Sequence, residues 1–166
     1  MGRRRSERGV AFTEFALIFP LFLVIFVSSI DVGRLIYIRQ VVANLSREGA
    51  SLASRGSTDA QAITAIESAD DPLDLKKYGK VIVSTVQRKS AADGTPWIFT
   101  QSSDGTFAFN SRVGTVGTKA TLPGVASLAT GITVKTVEVA TPFKAVMSST
   151  GFGVVYPTFV YEVSYF

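Results

Sequence analysis

Arg8-Gly9-Val10-Ala11-Phe12-Thr13-Glu14-Phe15, with the apolar run that continues from it to Ile30, decides how the chain is read. From Val10 to Ile30 there are 21 residues and one charge, Glu14. A helix needs about 20 apolar residues to cross a bilayer, so the run is long enough. In front of it stand Arg3, Arg4, Arg5 and Arg8 against a single acid, Glu7. An excess of arginine marks the side that stays cytoplasmic, so the remainder of the chain is expected outside. A lone carboxylate near the cytoplasmic end of an apolar helix is expensive and calls for a partner.

Composition removes much chemistry. The 166 residues allow one domain of ordinary size plus the N-terminal segment. They include no cysteine, so disulfides, thiol nucleophiles and thiolate metal sites are excluded. Histidine is absent too, and with it the commonest general base and metal ligand. Serines and threonines therefore lack the usual activator, and no Ser-x-x-Lys, GxGxxG or phosphate-loop string appears. Asp104, Glu138 and Glu162 are the carboxylates that folding is able to bring together. Asp70, Asp71 and Asp74 lack the glycine and bidentate Glu of a calcium loop and read as a solvated turn. No enzyme activity, metal or cofactor is expected. Of the net charge of +4, residues 1–9 hold +3, leaving +1 for residues 10–166. That balance speaks for membrane orientation rather than for a nucleic-acid partner.

Helical pattern runs from Val10 to about Arg55, with Pro20 predicted to kink it because proline cannot donate to the preceding turn. Beyond Ile30 the helix becomes amphipathic. Leu35, Ile38, Val42, Leu45, Gly49 and Leu52 form an apolar stripe beside a small-residue line of Ala43, Ser46, Ala50 and Ala53. That seam rests either on the protein's own sheet or on neighbouring helices. Gly56 suits a left-handed stop, and Thr58 or Asp59 caps a short helix over Ala60–Ser68. From Lys80 the β signal dominates. Strands are expected at Lys80–Arg88, Trp97–Ser102, Thr106–Val113, Ile132–Ala140 and Pro157–Phe166, with Ser103-Asp104-Gly105 as a hairpin turn. Gly114–Gly131 reads as a loop with a helical turn at Val125–Thr130, and Phe159, Tyr161, Val163 and Tyr165 as the one buried face of the last strand.

The basic leader ending in Gly9, Glu14 as fifth residue after it, Phe15, Pro20, Asp31-Val32-Gly33-Arg34-Leu35 and Arg47-Glu48-Gly49-Ala50 together resemble the TadE-like minor pseudopilins of tight-adherence (type IVc) pili. The resemblance covers residues 3 to about 56. It implies a pilin-like α+β fold: a long N-terminal helix, half transmembrane and half packed on a C-terminal antiparallel sheet. The expected divisions are a basic leader (1–9), a long helix (10–56, of which 10–30 transmembrane) and a periplasmic globular domain (57–166). It also implies cleavage between Gly9 and Val10 by a prepilin peptidase, and extraction from the bacterial inner membrane by an assembly platform and motor ATPase. The protein would then join the major pilin and other minor pilins, near the tip or at initiation of a thin adhesive filament, outside the cell.

Within that frame Glu14 is the pointed residue, with Phe15 beside it. Its carboxylate is expected either to pair with the new ammonium of Val10 on an adjacent subunit, fixing axial register, or to rest near the positive helix N-terminus. Two other readings compete. An uncleaved signal anchor would display the β domain as a periplasmic binding module. A secreted protein cut after Ser28-Ser29 would be soluble, against which the run exceeds the usual 7–15 residues of a signal core. For contacts by the β domain, the candidates are Trp97–Phe99, the Gly114–Gly124 loop and the aromatic last strand, which pairs either within its own sheet or with another subunit.

Overall fold

The computed structural model describes residues 3–147 and 155–166, with side chains from Val10 onward. Of the expected leader, residues 1 and 2 lie outside the described residues. The elements in order are α1 (Arg3–Ser54), α2 (Asp59–Ser68), α3 (Leu75–Tyr78), β1 (Lys80–Arg88), β2 (Pro96–Asp104), β3 (Thr133–Pro142) and β4 (Phe159–Tyr165). The fold is α+β, as expected from the sequence. Contacts divide the chain into two compact units, Met1–Ile36 with Ala145–Tyr156, and Tyr37–Lys144 with Pro157–Phe166. The expected division at 56/57 marks the end of α1, whereas the compact units part within α1, at Ile36.

In the first unit α1 is apolar and bare. Leu17 is 80% exposed and Phe12 72%, and from Val10 the helix carries a stretch of mean hydropathy 2.5. A helix this apolar and this uncovered is long enough to cross a membrane. It continues without interruption through Pro20.

In the second unit an antiparallel sheet of order β2-β1-β3-β4 is covered on both faces. Alternate residues of a strand point to opposite faces, and each face has its own cover. On the first face Val81, Val83, Val137 and Val139 are buried under the C-terminal half of α1 and under α2. Val42, Leu45, Ser46, Gly49, Ala50 and Ala53 are the buried helix positions, so from Val42 the seam rests on its own sheet. Gly49 sits there because a Cβ would lie 2.3 Å from Ile66 Cδ1 and 3.3 Å from Val137 Cγ1. Gly56 ends α1 at φ +97°, as the sequence predicts. Thr58 caps α2 in a full capping box with Gln61, burying Ala62, Ile63 and Ile66.

On the second face Val86, Ile98, Val113, Ala120, Leu122, Leu128 and Val134 form one buried cluster, joined at its margin by Val163 and Tyr165. Its cover is the irregular chain between β2 and β3. Here the expected hairpin at Ser103-Asp104-Gly105 fails. Residues 106–113 form no strand, because Gly105 (φ +101°) turns the chain back onto the start of β1, where the Phe107 amide donates to the Gly79 carbonyl at 3.0 Å. The β1–β2 connection is instead the 89–95 loop, closed by Lys89 N–H to the Thr95 carbonyl at 2.9 Å. No helical turn forms at 125–130 either. Pro123-Gly124 (φ +76°) makes a tight turn, with Val125 N–H donating to the Leu122 carbonyl at 3.1 Å. The short α3 escaped the sequence reading. Asp70 and Asp74 of the acidic turn accept from the backbone N–H groups of Leu75 and Lys77 at its start.

Candidate assembly helix and its anchoring carboxylates

Gly9 and Val10 lie inside α1 rather than in a loop, and Val10 is exposed. The Thr13 hydroxyl donates to the Val10 carbonyl at 2.8 Å, a local bond that a helix tolerates at its surface. Glu14 is exposed, and the Phe15 ring lies 5.3 Å from that of Phe19 on the same side of the helix. Val10, Phe12, Glu14 and Phe15 are all exposed, with the Glu14 carboxylate the single charge between Val10 and Ile30. Pro20 cannot donate to the Ala16 carbonyl, one turn earlier.

The carboxylate that the structure does engage on this helix is Asp31, the first residue after the apolar run. Asp31 is fully buried and accepts the backbone N–H groups of Val146 and Met147, each at 2.8 Å. The two amides, Met147 first, hold its carboxyl below the usual carboxylate range against the opposing effect of burial, and Arg34 at 3.6 Å acts in the same direction. One turn back, the Ser28 hydroxyl faces the Met147 sulfur at 3.8 Å, and the Tyr156 hydroxyl donates to the Ser28 carbonyl at 3.3 Å. Asp31 thus ties Val146 and Met147 to the end of the apolar run, and Ser28 takes the hydroxyl of Tyr156.

The second buried carboxylate is Glu138 on β3. It accepts from the Arg112 N–H at 2.8 Å, the Val113 N–H at 3.3 Å, the Tyr161 hydroxyl at 2.8 Å and the Ser111 hydroxyl. Around it Phe107, Phe109, Phe159 and Tyr161 are clustered, with the Arg112 guanidinium 4.8 Å from the Tyr161 ring centre and 5.2 Å from that of Phe159. The carboxylate trio considered from sequence does not assemble. Glu162 projects from the opposite sheet face to meet Arg39 at 3.0 Å, and Asp104 accepts from the next amide, Gly105, at 2.6 Å. Among the described residues no three His, Cys, Asp or Glu side chains gather as metal ligands.

The last strand pairs within its own sheet, antiparallel to β3. Both of its faces are used, contrary to the single buried face expected. Ser164 shares a 2.9 Å hydrogen bond with Ser46 of α1, while Val163 and Tyr165 face the other core. Phe99 is 44% exposed beside Trp97, over whose ring the Lys89 ammonium lies at 4.7 Å. The sequence marks Asp31 only as part of a motif and Glu138 only as one of three carboxylates able to meet. The signal for each was present: a carboxylate in an otherwise apolar setting must find donors.

The fold and the bare helix define a membrane-anchorable α+β protein with one N-terminal helix continuing into a sheet domain. The family model described as TadE-like protein matches residues 9–51, from Gly9 into the packed half of α1. No curated protein and no solved structure matches the chain. Over residues 9–51 the chain is therefore similar to TadE-like proteins.

Proposed function

We propose that the chain is a non-enzymatic minor pseudopilin, cut between Gly9 and Val10 and carried from the inner membrane into a thin tight-adherence pilus. The observation that carries this reading is the family match, which begins on Gly9 and spans the exposed apolar helix and its packed continuation. An uncovered helix of this kind is stable in two surroundings, lipid and a bundle of like helices. Glu14 then sets register in the bundle by meeting the ammonium of Val10 on a neighbour. The basic leader holds the N-terminus in the cytoplasm, with the β domain periplasmic, until a prepilin peptidase removes it. A platform and motor ATPase then move the subunit out beside the major pilin, at low copy, because the sheet domain is too bulky to repeat at every position of a thin filament.

The test is intact mass of the protein recovered from membranes and from sheared pili. The expected mature chain starts at Val10 and is present in both fractions. A chain starting at Met1 and never found with pilus material would overturn the reading in favour of a permanently anchored binding module.

A further inference from the structure

The apolar run and the residues hydrogen-bonded to its end carry a second consequence. Val10–Ile30 is 21 residues long, or about 31 Å of helix at about 1.5 Å per residue. That length equals a hydrocarbon core of about 30 Å, with no surplus. When the run is in the bilayer, Ser28 therefore lies in the last turn of the hydrocarbon, and Asp31 one turn further, among headgroups. Whatever is bonded to Ser28 and Asp31 is held at that depth.

Beside the bonded groups stand two exposed apolar side chains. Val146, whose amide is fixed by Asp31, is 65% exposed, and Val155, next to the Tyr156 that reaches Ser28, is 86% exposed. Isolated exposed valines are ordinary. These two differ because the Val146 amide is itself held by Asp31, and Val155 precedes the residue whose hydroxyl reaches Ser28, both at the end of an exposed apolar helix. Tyr156 adds an amphipathic ring at the depth where tyrosine collects in membrane proteins. Asp31 gives up its own hydration to two backbone amides, so it brings no bare charge to the boundary.

We propose that Val146 and Val155, tied to α1 through Asp31 and Ser28, form a second membrane contact that seats in the outer-leaflet boundary beside the transmembrane helix. The occupant of this surface is the lipid bilayer at its headgroup–acyl boundary. The contact rests on the membrane reading of Val10–Ile30 but adds to it a patch more than a hundred residues away in sequence. It also implies that leaving the membrane breaks two lipid contacts at once, the helix and the tethered valines.

The chain lacks cysteine, so each introduced cysteine is unique and can carry a nitroxide. Single variants Leu21→Cys, Val146→Cys, Val155→Cys and, in the loop before β3, Val116→Cys are labelled in the full chain. They are reconstituted in vesicles of phosphatidylethanolamine and phosphatidylglycerol, and collision rates with oxygen and with a water-soluble nickel chelate are compared. The expected result is a bilayer signature at Leu21, an aqueous one at Val116, and at Val146 and Val155 a boundary signature with strongly reduced nickel access. Adding Asp31→Ala should shift the Val146 label to the aqueous signature and leave Leu21 unchanged. Val146 and Val155 reading like Val116 while Leu21 reads as bilayer would overturn the second contact alone. An aqueous Leu21 would overturn the contact and the membrane reading together. Unchanged labels in the Asp31→Ala background would overturn the role of the tether.

Discussion

The Tyr161 hydroxyl donates to the Glu138 carboxylate across 2.8 Å, joining the edge strand β4 to β3 at the point where the irregular cover crosses the sheet. The same carboxylate fixes the amides of Arg112 and Val113, so one buried acid organises a strand edge and a loop that has no ladder of its own. Replacing it leaves the buried Val113 amide and the half-buried Ser111 and Tyr161 hydroxyls without their acceptor. Glu138→Ala should lower unfolding stability by about 3 kcal/mol, since a buried bond to a charged group contributes about 1.5–3 kcal/mol and more than one is lost. Urea unfolding in detergent, followed through the single Trp97, measures it. A change no larger than that of an exposed alanine variant would refute the organising role.

Burial of the Tyr161 phenol, and then the neighbouring Glu138 charge, push its ionisation far above the ordinary tyrosine range. The folded state therefore holds this proton more tightly than the unfolded chain, whose tyrosine titrates near about 10. Stability from this site is complete below that pH and is lost as pH rises beyond it. Absorbance titration should show one tyrosine ionising only when the sheet domain unfolds. Tyr161→Phe should abolish that delayed step, and its persistence would assign it to another tyrosine.

What the sequence made legible follows from where backbone and side chain agree. The apolar run, Gly56, the Thr58 cap and the Val-rich β1 announce themselves because each residue type suits one local conformation. Asp104-Gly105 suits a hairpin equally well, yet the chain uses its positive φ to double back to Gly79, because Phe107 and Phe109 are drawn to the rings of Phe159 and Tyr161. Such long-range apolar contacts leave no trace in local spacing. The same holds for Asp31, whose donors come from residues 146 and 147. Glu14 and Gly9 stand at the other limit: the sequence marks them through a family pattern, and on the proposed reading their partners lie in other molecules.

Gly49 gives a test of the seam. Alanine there gains up to about 1 kcal/mol of helix propensity. Its Cβ would have to displace Ile66, which is 1% exposed and packed on all sides. Overpacking of this kind costs about 1–3 kcal/mol, so the clash should win and Gly49→Ala should be destabilising by about 1 kcal/mol. Gly49→Ala combined with Ile66→Val should recover part of the loss in thermal unfolding. A stabilised single variant would mean that α1 lies further from the sheet than these contacts require.

The Asp31 tether has a pH signature of its own. Its carboxyl is held below the usual range by the amides of Met147 and Val146, so its contribution is present above the unfolded value and disappears as pH falls through the lowered folded one. Exchange of those two amides with solvent deuterium should be slow at neutral pH. It should accelerate in Asp31→Ala, while amides of β1 keep their protection. Equal exchange in both proteins would show that the carboxylate does not hold the segment.

Glu14 supplies the sharpest assembly prediction. The carboxylate is exposed on a bare helix and has no structural duty within the sheet domain. Replacing it with alanine should not hinder insertion, since removing a charge from an apolar helix makes entry into lipid easier. In a filament, a pair with a Val10 ammonium about 4 Å away is worth about 4 kcal/mol at an effective dielectric of about 20. Losing even half of that costs more than tenfold in an equilibrium, because about 1.4 kcal/mol is tenfold. Glu14→Ala should therefore reach the membrane and be cut to start at Val10, yet enter sheared pili at least about tenfold less than the parent chain. Glu14→Gln, equal in size without the charge, should fail alike, and Glu14→Asp should fail less. Quantitative immunoblots of membrane and pilus fractions read all three. Full incorporation of Glu14→Gln would leave shape, not charge, as what the neighbouring subunit recognises.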